Sequence, residues 1–125
     1  MLDSNAHILL VDDSSTVRRI IGNILRQNGY YFIEEATDGL FALQALLKDK
    51  FDLIICDWNM PRINGLELFK RVQSIDTLKD TPFLMVTAES TGASVLKAAE
   101  TGVSYYIAKP FSQDALLAKI AVIFP

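Results

Sequence analysis

The chain has little cysteine and histidine, no long apolar run and no block of basic residues, and each shortage removes a class of protein. With Cys56 the only cysteine among 125 residues, no internal disulfide is possible. Its place inside an apolar run predicts a buried thiol in a reducing compartment. The one histidine, His7, has no partner at metal-ligand spacing and reads as structural. No apolar stretch approaches the roughly 20 residues of a membrane-spanning helix, and no basic-then-apolar leader opens the chain, so a soluble cytoplasmic protein is expected. Lys and Arg number 12 against 15 Asp and Glu, and the net charge of −3 carries no basic stripe for nucleic acid. Repeats, low-complexity tracts and linker-like shifts are absent too. One globular domain over residues 1–125, burying roughly two thirds of its unfolded surface, follows.

What the chain does have is short apolar runs alternating with helix-period segments. The runs at His7–Val11, Tyr31–Ile33, Phe51–Cys56, Phe83–Val86 and Tyr105–Ala108 predict five strands. Pro82 suits the start of the fourth, where no ladder hydrogen bond is lost. Between them, Ser14 or Ser15 caps a helix with Val17, Ile20, Ile21, Ile24 and Leu25 inward and Arg18, Arg19 and Arg26 outward, stopped by Gly29. Asp38-Gly39 opens a second helix with Leu43, Leu46 and Leu47 inward, and Asn64-Gly65 a third with Leu66, Phe69 and Val72 inward. A fourth is expected over Ser94–Thr101, closed by Gly102, and a fifth after Ser112, carrying Leu116, Ile120 and Ile123. Such alternation implies right-handed crossovers and a parallel sheet covered on both faces, an α/β doubly wound fold with five helices.

In sheets of this kind ligands gather beyond the strands' carboxyl ends. The residues there are Asp12 and Asp13 after the first strand, Asp57 after the third, Thr87 with Ala88 after the fourth, and Lys109 after the fifth. Three carboxylates brought within a few ångströms repel one another, and a hard divalent cation held by oxygens, best met by Mg2+, resolves the conflict. One of the three acids can then also act as a nucleophile. Each residue alone has a plainer explanation: acids at helix starts, a cap hydroxyl at Thr87, a surface turn at Lys109-Pro110, edge packing at Tyr106. Their joint placement on one rim favours chemistry.

Together these residues resemble the receiver domains of bacterial two-component response regulators, and among them the single-domain chemotaxis regulators. The resemblance rests on Val11-Asp12-Asp13-Ser14-Ser15-Thr16, on Asp57-Trp58-Asn59-Met60-Pro61 with Gly65, on Val86-Thr87-Ala88-Glu89, and on Tyr106 with Lys109-Pro110-Phe111. It spans nearly the whole chain. It implies the strand order 2-1-3-4-5 and Asp57 as the phosphoacceptor. Mg2+ would be held by Asp13, Asp57 and the backbone carbonyl of Asn59, with Asp12 acting through water. It further implies Lys109 and Thr87 as phosphoryl-oxygen partners, Tyr106 as an aromatic switch, and Asn59 and Glu89 as residues that set phosphate lifetime. Lys109-Pro110 is expected to be cis. The implied output is a changed face made by the fourth helix, fifth strand and fifth helix around Lys97, Tyr106 and Lys119. The implied partners are a histidine-kinase phosphodonor, a flagellar motor switch protein or other effector, and a phosphatase; the chain itself is expected to be a monomer.

Three features depart from the pattern. Ser90 to Ser94 lacks the lysine pair of familiar chemotaxis regulators, Asn64 replaces a common acid, and the apolar end Ile123-Phe124-Pro125 resembles a helix running into a linker. These leave open a receiver domain cut from a longer protein with a non-motor output. A haloacid-dehalogenase-like phosphohydrolase would want a second acid where Asn59 stands. A flavodoxin-like carrier would want a hydroxyl- and glycine-rich loop where Asp12-Asp13 would repel a flavin phosphate. Trp58, beside the acceptor, is expected to report metal and phosphate binding by fluorescence. Cys56 should point to the opposite face of the sheet from Asp57, which argues against a catalytic thiol.

Overall fold

The computed structural model describes residues 2–87 and 102–125. The elements run β1 (His7–Val11), α1 (Ser15–Gln27), β2 (Phe32–Ala36), α2 (Gly39–Lys48), β3 (Leu53–Asp57), α3 (Gly65–Ser74), β4 (Phe83–Thr87), β5 (Tyr105–Ala108) and α4 (Gln113–Ile123). The expected helix over 94–101 lies outside the described residues, as do Ala88, Glu89 and Lys97. Among the described residues four helices are therefore seen where five were expected of the whole chain, and the last of them is α4 here. All strand pairs are parallel and the sheet order is β2-β1-β3-β4-β5, as the resemblance implied.

Strand alternation divides the core in two. Leu9, Val11, Ile54, Cys56 and Met85 point to one face with Leu46, Leu68, Phe69 and Val72 from α2 and α3. Ile8, Leu10, Leu53, Ile55, Leu84 and Ile107 point to the other with Ile21, Leu25, Leu116 and Ile120 from α1 and α4. β3 and β4 are buried along their whole length because helices cover both sides.

Helix starts are fixed by side-chain caps. Ser14, rather than Ser15, caps α1, its hydroxyl accepting from Val17 N–H at 3.2 Å. Asp38 accepts from Leu40 and Phe41, Asn64 from Glu67, and Ser112 from Ala115, each filling an orphan donor of a first turn. Gly29, just past α1, has φ of 91°, a conformation that suits glycine.

Several expectations are corrected. Ile20 and Leu47, expected inward, are 50% and 63% exposed. Ile20 sits about 100° from Ile21 and about 140° from Leu25 around its helix, and Leu47 stands the same way to Leu46 and Ala42, so both roll out of the buried stripe. β2 begins at Phe32 and reaches Ala36, two acids included, because pairing with β1 runs from His7↔Phe32 to Val11↔Ala36. An edge strand covered on part of its surface tolerates Glu34 and Glu35, which periodicity alone read as the strand's end.

Candidate functional site

Parallel strands bring their C-terminal ends to one rim, and the expected side chains converge there. Asp12 and Asp13 follow β1, Asp57 ends β3, Thr87 ends β4 and Lys109 follows β5. Asp12, Asp13 and Asp57 each offer a carboxylate oxygen within 4.8 Å of the others. Asp12 and Asp57 are buried and Asp13 is exposed. Lys109 Nζ stands between two of them, 3.2 Å from Asp12 Oδ2 and 3.2 Å from Asp57 Oδ1.

The two contacts differ. Lys109 donates a hydrogen bond to Asp12. Asp57 Oδ1, fully enclosed, meets the ammonium charge but accepts no hydrogen bond from the described residues. Burial pushes the Asp57 carboxyl above the ordinary range, Asp12 adds to that push, Lys109 opposes it and Asp13 reinforces it. Burial alone would lower Lys109, yet Asp12 and Asp57 outweigh it and hold the ammonium above its usual range. A buried acceptor without a hydrogen bond, beside two more carboxylates, is an oxygen-only donor set with a deficit of positive charge. It fits a small hard cation.

Asp12 is pinned on every side. Its N–H donates to Ala36 O at 3.1 Å, Ser14 N–H donates to its Oδ1 at 2.8 Å, and Arg18 Nη1 donates to its backbone carbonyl at 2.6 Å. The β3–α3 loop is held as closely. Gly65 N–H donates to Trp58 O at 2.8 Å, and a Cβ at Gly65 would collide with the Asp57 carbonyl oxygen, so only glycine lets α3 start this near the acceptor. Trp58 is partly buried and Asn59 exposed on that loop.

Thr87 is buried, and its carbonyl accepts from Lys109 N–H at 2.7 Å, tying the ends of β4 and β5 together. Lys109-Pro110 is cis, as expected. Tyr106 is partly buried, with Lys119 Nζ 5.7 Å from its ring centre. Cys56 packs in the α2–α3 side of the core, its thiol donating to the Asp57 carbonyl, and burial, then the charges of Asp57 and Asp12, push it well above the usual thiol range. A buried thiol with little thiolate character is poorly suited to nucleophilic attack. His7 stacks on Phe51 with ring centres 4.1 Å apart and contacts Lys50 O through Nδ1, the structural role expected of it.

Two groups near the site were not foreseen. Arg18, expected outward, is only 14% exposed and reaches from α1 to Glu35 of β2 as well as to Asp12. Arg62, in the loop after β3 at φ of 64°, pairs with the buried Asp38 cap and lies over the Phe41 ring. The partners are 17 and 24 residues apart, so no local pattern marks them. The one available hint was an acid, Glu35, following a strand opposite an arginine-bearing helix.

Comparison with known proteins points one way. The profile of the response regulator receiver domain matches residues 8–121. The chemotaxis protein CheY-3 of Vibrio cholerae is 45% identical over 124 residues, covering 99% of this chain and 95% of that protein. Chemotaxis protein CheY of Pseudomonas aeruginosa is 46% identical over 117 residues and covers 94% of each. Among solved structures, the chemotaxis response regulator CheY4 of Vibrio cholerae aligns with a TM-score of 0.88 at 35% identity, over 96% of this chain and 99% of that one. A putative response regulator from Chloroflexus aurantiacus aligns at 0.89 and 35% identity, over 95% and 97%.

Proposed function

The chain belongs to the response regulator receiver domain family, and from that premise we propose that it is a phosphoacceptor switch in a two-component system serving chemotaxis. The family is one of signalling domains rather than conventional enzymes. The observation that supports the switch most directly is Asp57 Oδ1, enclosed, short of a hydrogen bond and faced by the Lys109 ammonium.

The Asp57 carboxylate oxygen forms a bond to phosphorus while the P–N bond of a donor phosphohistidine breaks, or the P–O bond of an acyl phosphate. The electron pair leaves with the donor's nitrogen or oxygen. Asp13, Asp57 and the Asn59 carbonyl would hold Mg2+, with Asp12 acting through water, and the ion would offset the charge of the acids and of the incoming phosphoryl group. Lys109, drawn from its ion pairs, holds one phosphoryl oxygen as a point charge, and Thr87 gives its hydroxyl to another. Their movement lets Tyr106 turn inward. The surface bearing Tyr106 and Lys119 shifts between two arrangements and meets its target, the flagellar motor switch protein. Asn59 and Glu89 set how fast water reaches the aspartyl phosphate, in concert with a phosphatase. The phosphodonor is a histidine kinase, and the switch works as a cytoplasmic monomer; no helix of the described residues is long and apolar enough to cross a membrane.

Mg2+ with beryllofluoride is expected to change Trp58 fluorescence in the parent and not in Asp57→Ala. A silent parent removes the switch. A pull-down on a motor-switch peptide should strengthen with beryllofluoride, and equal capture in both states counts against motor control.

A further inference from the structure

We infer that Arg18 and Glu35 form a strut that sets the geometry of the acidic pocket from outside it, making Arg18 a positioning residue for cation binding; this rests on the cation-dependent switch proposed above. The geometry is specific. Arg18 Nε donates to Glu35 Oε1 at 2.9 Å while Nη1 donates to the Asp12 carbonyl at 2.6 Å, so one planar guanidinium spans α1, β2 and the end of β1. A guanidinium keeps both bonds in a fixed fork, which an ammonium cannot reproduce. The carbonyl it grips belongs to the peptide joining Asp12 to Asp13, so fixing that plane fixes where the Asp13 side chain leaves the backbone. Asp13 is the exposed member of the acid cluster, and Asp12 is already fixed at its N–H and both carboxylate oxygens by Ala36, Ser14 and Lys109. Arg18 adds a hold at the carbonyl, which those bonds leave untouched. Its charge is matched by Glu35, so the pair contributes orientation rather than net field.

The sign of the effect separates positioning from simple charge. Removing a cation beside an anionic site tightens Mg2+ binding if only the field matters, whereas loosening the Asp12-Asp13 peptide weakens it. Calorimetric titration of Mg2+, without phosphodonor, is expected to give an affinity about 10-fold weaker in Arg18→Met than in the parent, in line with the loss of outer-shell support at metal sites. Arg18→Lys should recover part of the loss. Arg19→Met, which removes an exposed neighbour of the same charge, should leave the affinity unchanged or slightly tighter. Melting temperatures in EDTA separate a merely structural role, which lowers stability and leaves affinity alone. Should Arg18→Met melt too early to titrate, Glu35→Gln decides, compared with the parent in about 1 M KCl, where the field of the lost exposed charge is screened: at least 2-fold weaker binding there supports the strut, and unchanged binding overturns it. A parent that takes up no Mg2+ defeats the switch itself; a parent that binds beside an Arg18→Met variant that binds equally or more tightly defeats only the strut.

Discussion

Replacing the phosphoacceptor should make the metal-free protein more stable. Asp57 holds its charge within 4.8 Å of Asp12 and Asp13 oxygens, where each pair costs about 3 kcal/mol at an effective dielectric of about 20. Lys109, 3.2 Å away, returns about 5 kcal/mol on the same scale. Because Asp13 is exposed and its share screened, attraction and repulsion nearly cancel. The sign is then decided by burial, the largest influence on this carboxyl, with one enclosed oxygen short of a hydrogen bond. A charged group left buried and incompletely hydrogen-bonded costs about 1 to 3 kcal/mol or more, and the isosteric amide sheds the part due to charge, so Asp57→Asn should gain about 1 to 2 kcal/mol, or roughly 3 to 10 °C in Tm for a domain of this size. Thermal melts followed by circular dichroism, at pH 7.5 in EDTA and again with Mg2+, test this. Mg2+ should raise the parent's Tm and close the gap. The pH dependence follows from the direction of the shift: a carboxyl raised in the folded state burdens the fold fully above its folded pKa. That burden fades as pH falls through it toward the unfolded value, and the variant's advantage should fade with it. A variant that melts at or below the parent in EDTA at pH 7.5 refutes the reasoning.

Other perturbations probe the scaffold. At Asp38, burial pushes the carboxyl up, but hydrogen bonds from Phe41 and Leu40 and the charged Arg62 outweigh it and hold it below the ordinary range. Its stabilisation is therefore present above the unfolded pKa and lost as pH falls through the folded one; Asp38→Ala should cost about 1 to 2 kcal/mol at pH 7 and less at pH 3, measured by urea melts. Gly65→Ala, which drives a methyl into the Asp57 carbonyl, should cost about 2 kcal/mol or more and also weaken Mg2+ uptake; an unperturbed urea midpoint would show that α3 can simply back away. Cys56 should react with a thiol-specific disulfide reagent only as fast as the protein opens, and prompt labelling of the native state would contradict its burial.

Legibility from sequence followed the range of the interaction. The caps Ser14, Asp38, Asn64 and Ser112 act within three residues, and each was found where a polar side chain preceded an apolar stripe. The rim acids were found because a charge ending an apolar strand is costly unless something uses it. What escaped needed partners distant in sequence. Arg18 was assigned outward from helix period alone, yet an acid on β2 and a carbonyl at the end of β1 draw it in. The Asp38–Arg62 pair depends on a left-handed residue in a loop, for which arginine gives no warning. The end of β2 was misplaced because pairing with β1, not composition, sets an edge strand's length.

The bond from Gly65 N–H to Trp58 O turns the segment after β3 into a small closed loop with a hinge that no side chain can enlarge. A displacement at the acceptor aspartate therefore has a short path to the first turn of α3, through that bond and the close approach of Gly65 to the Asp57 carbonyl.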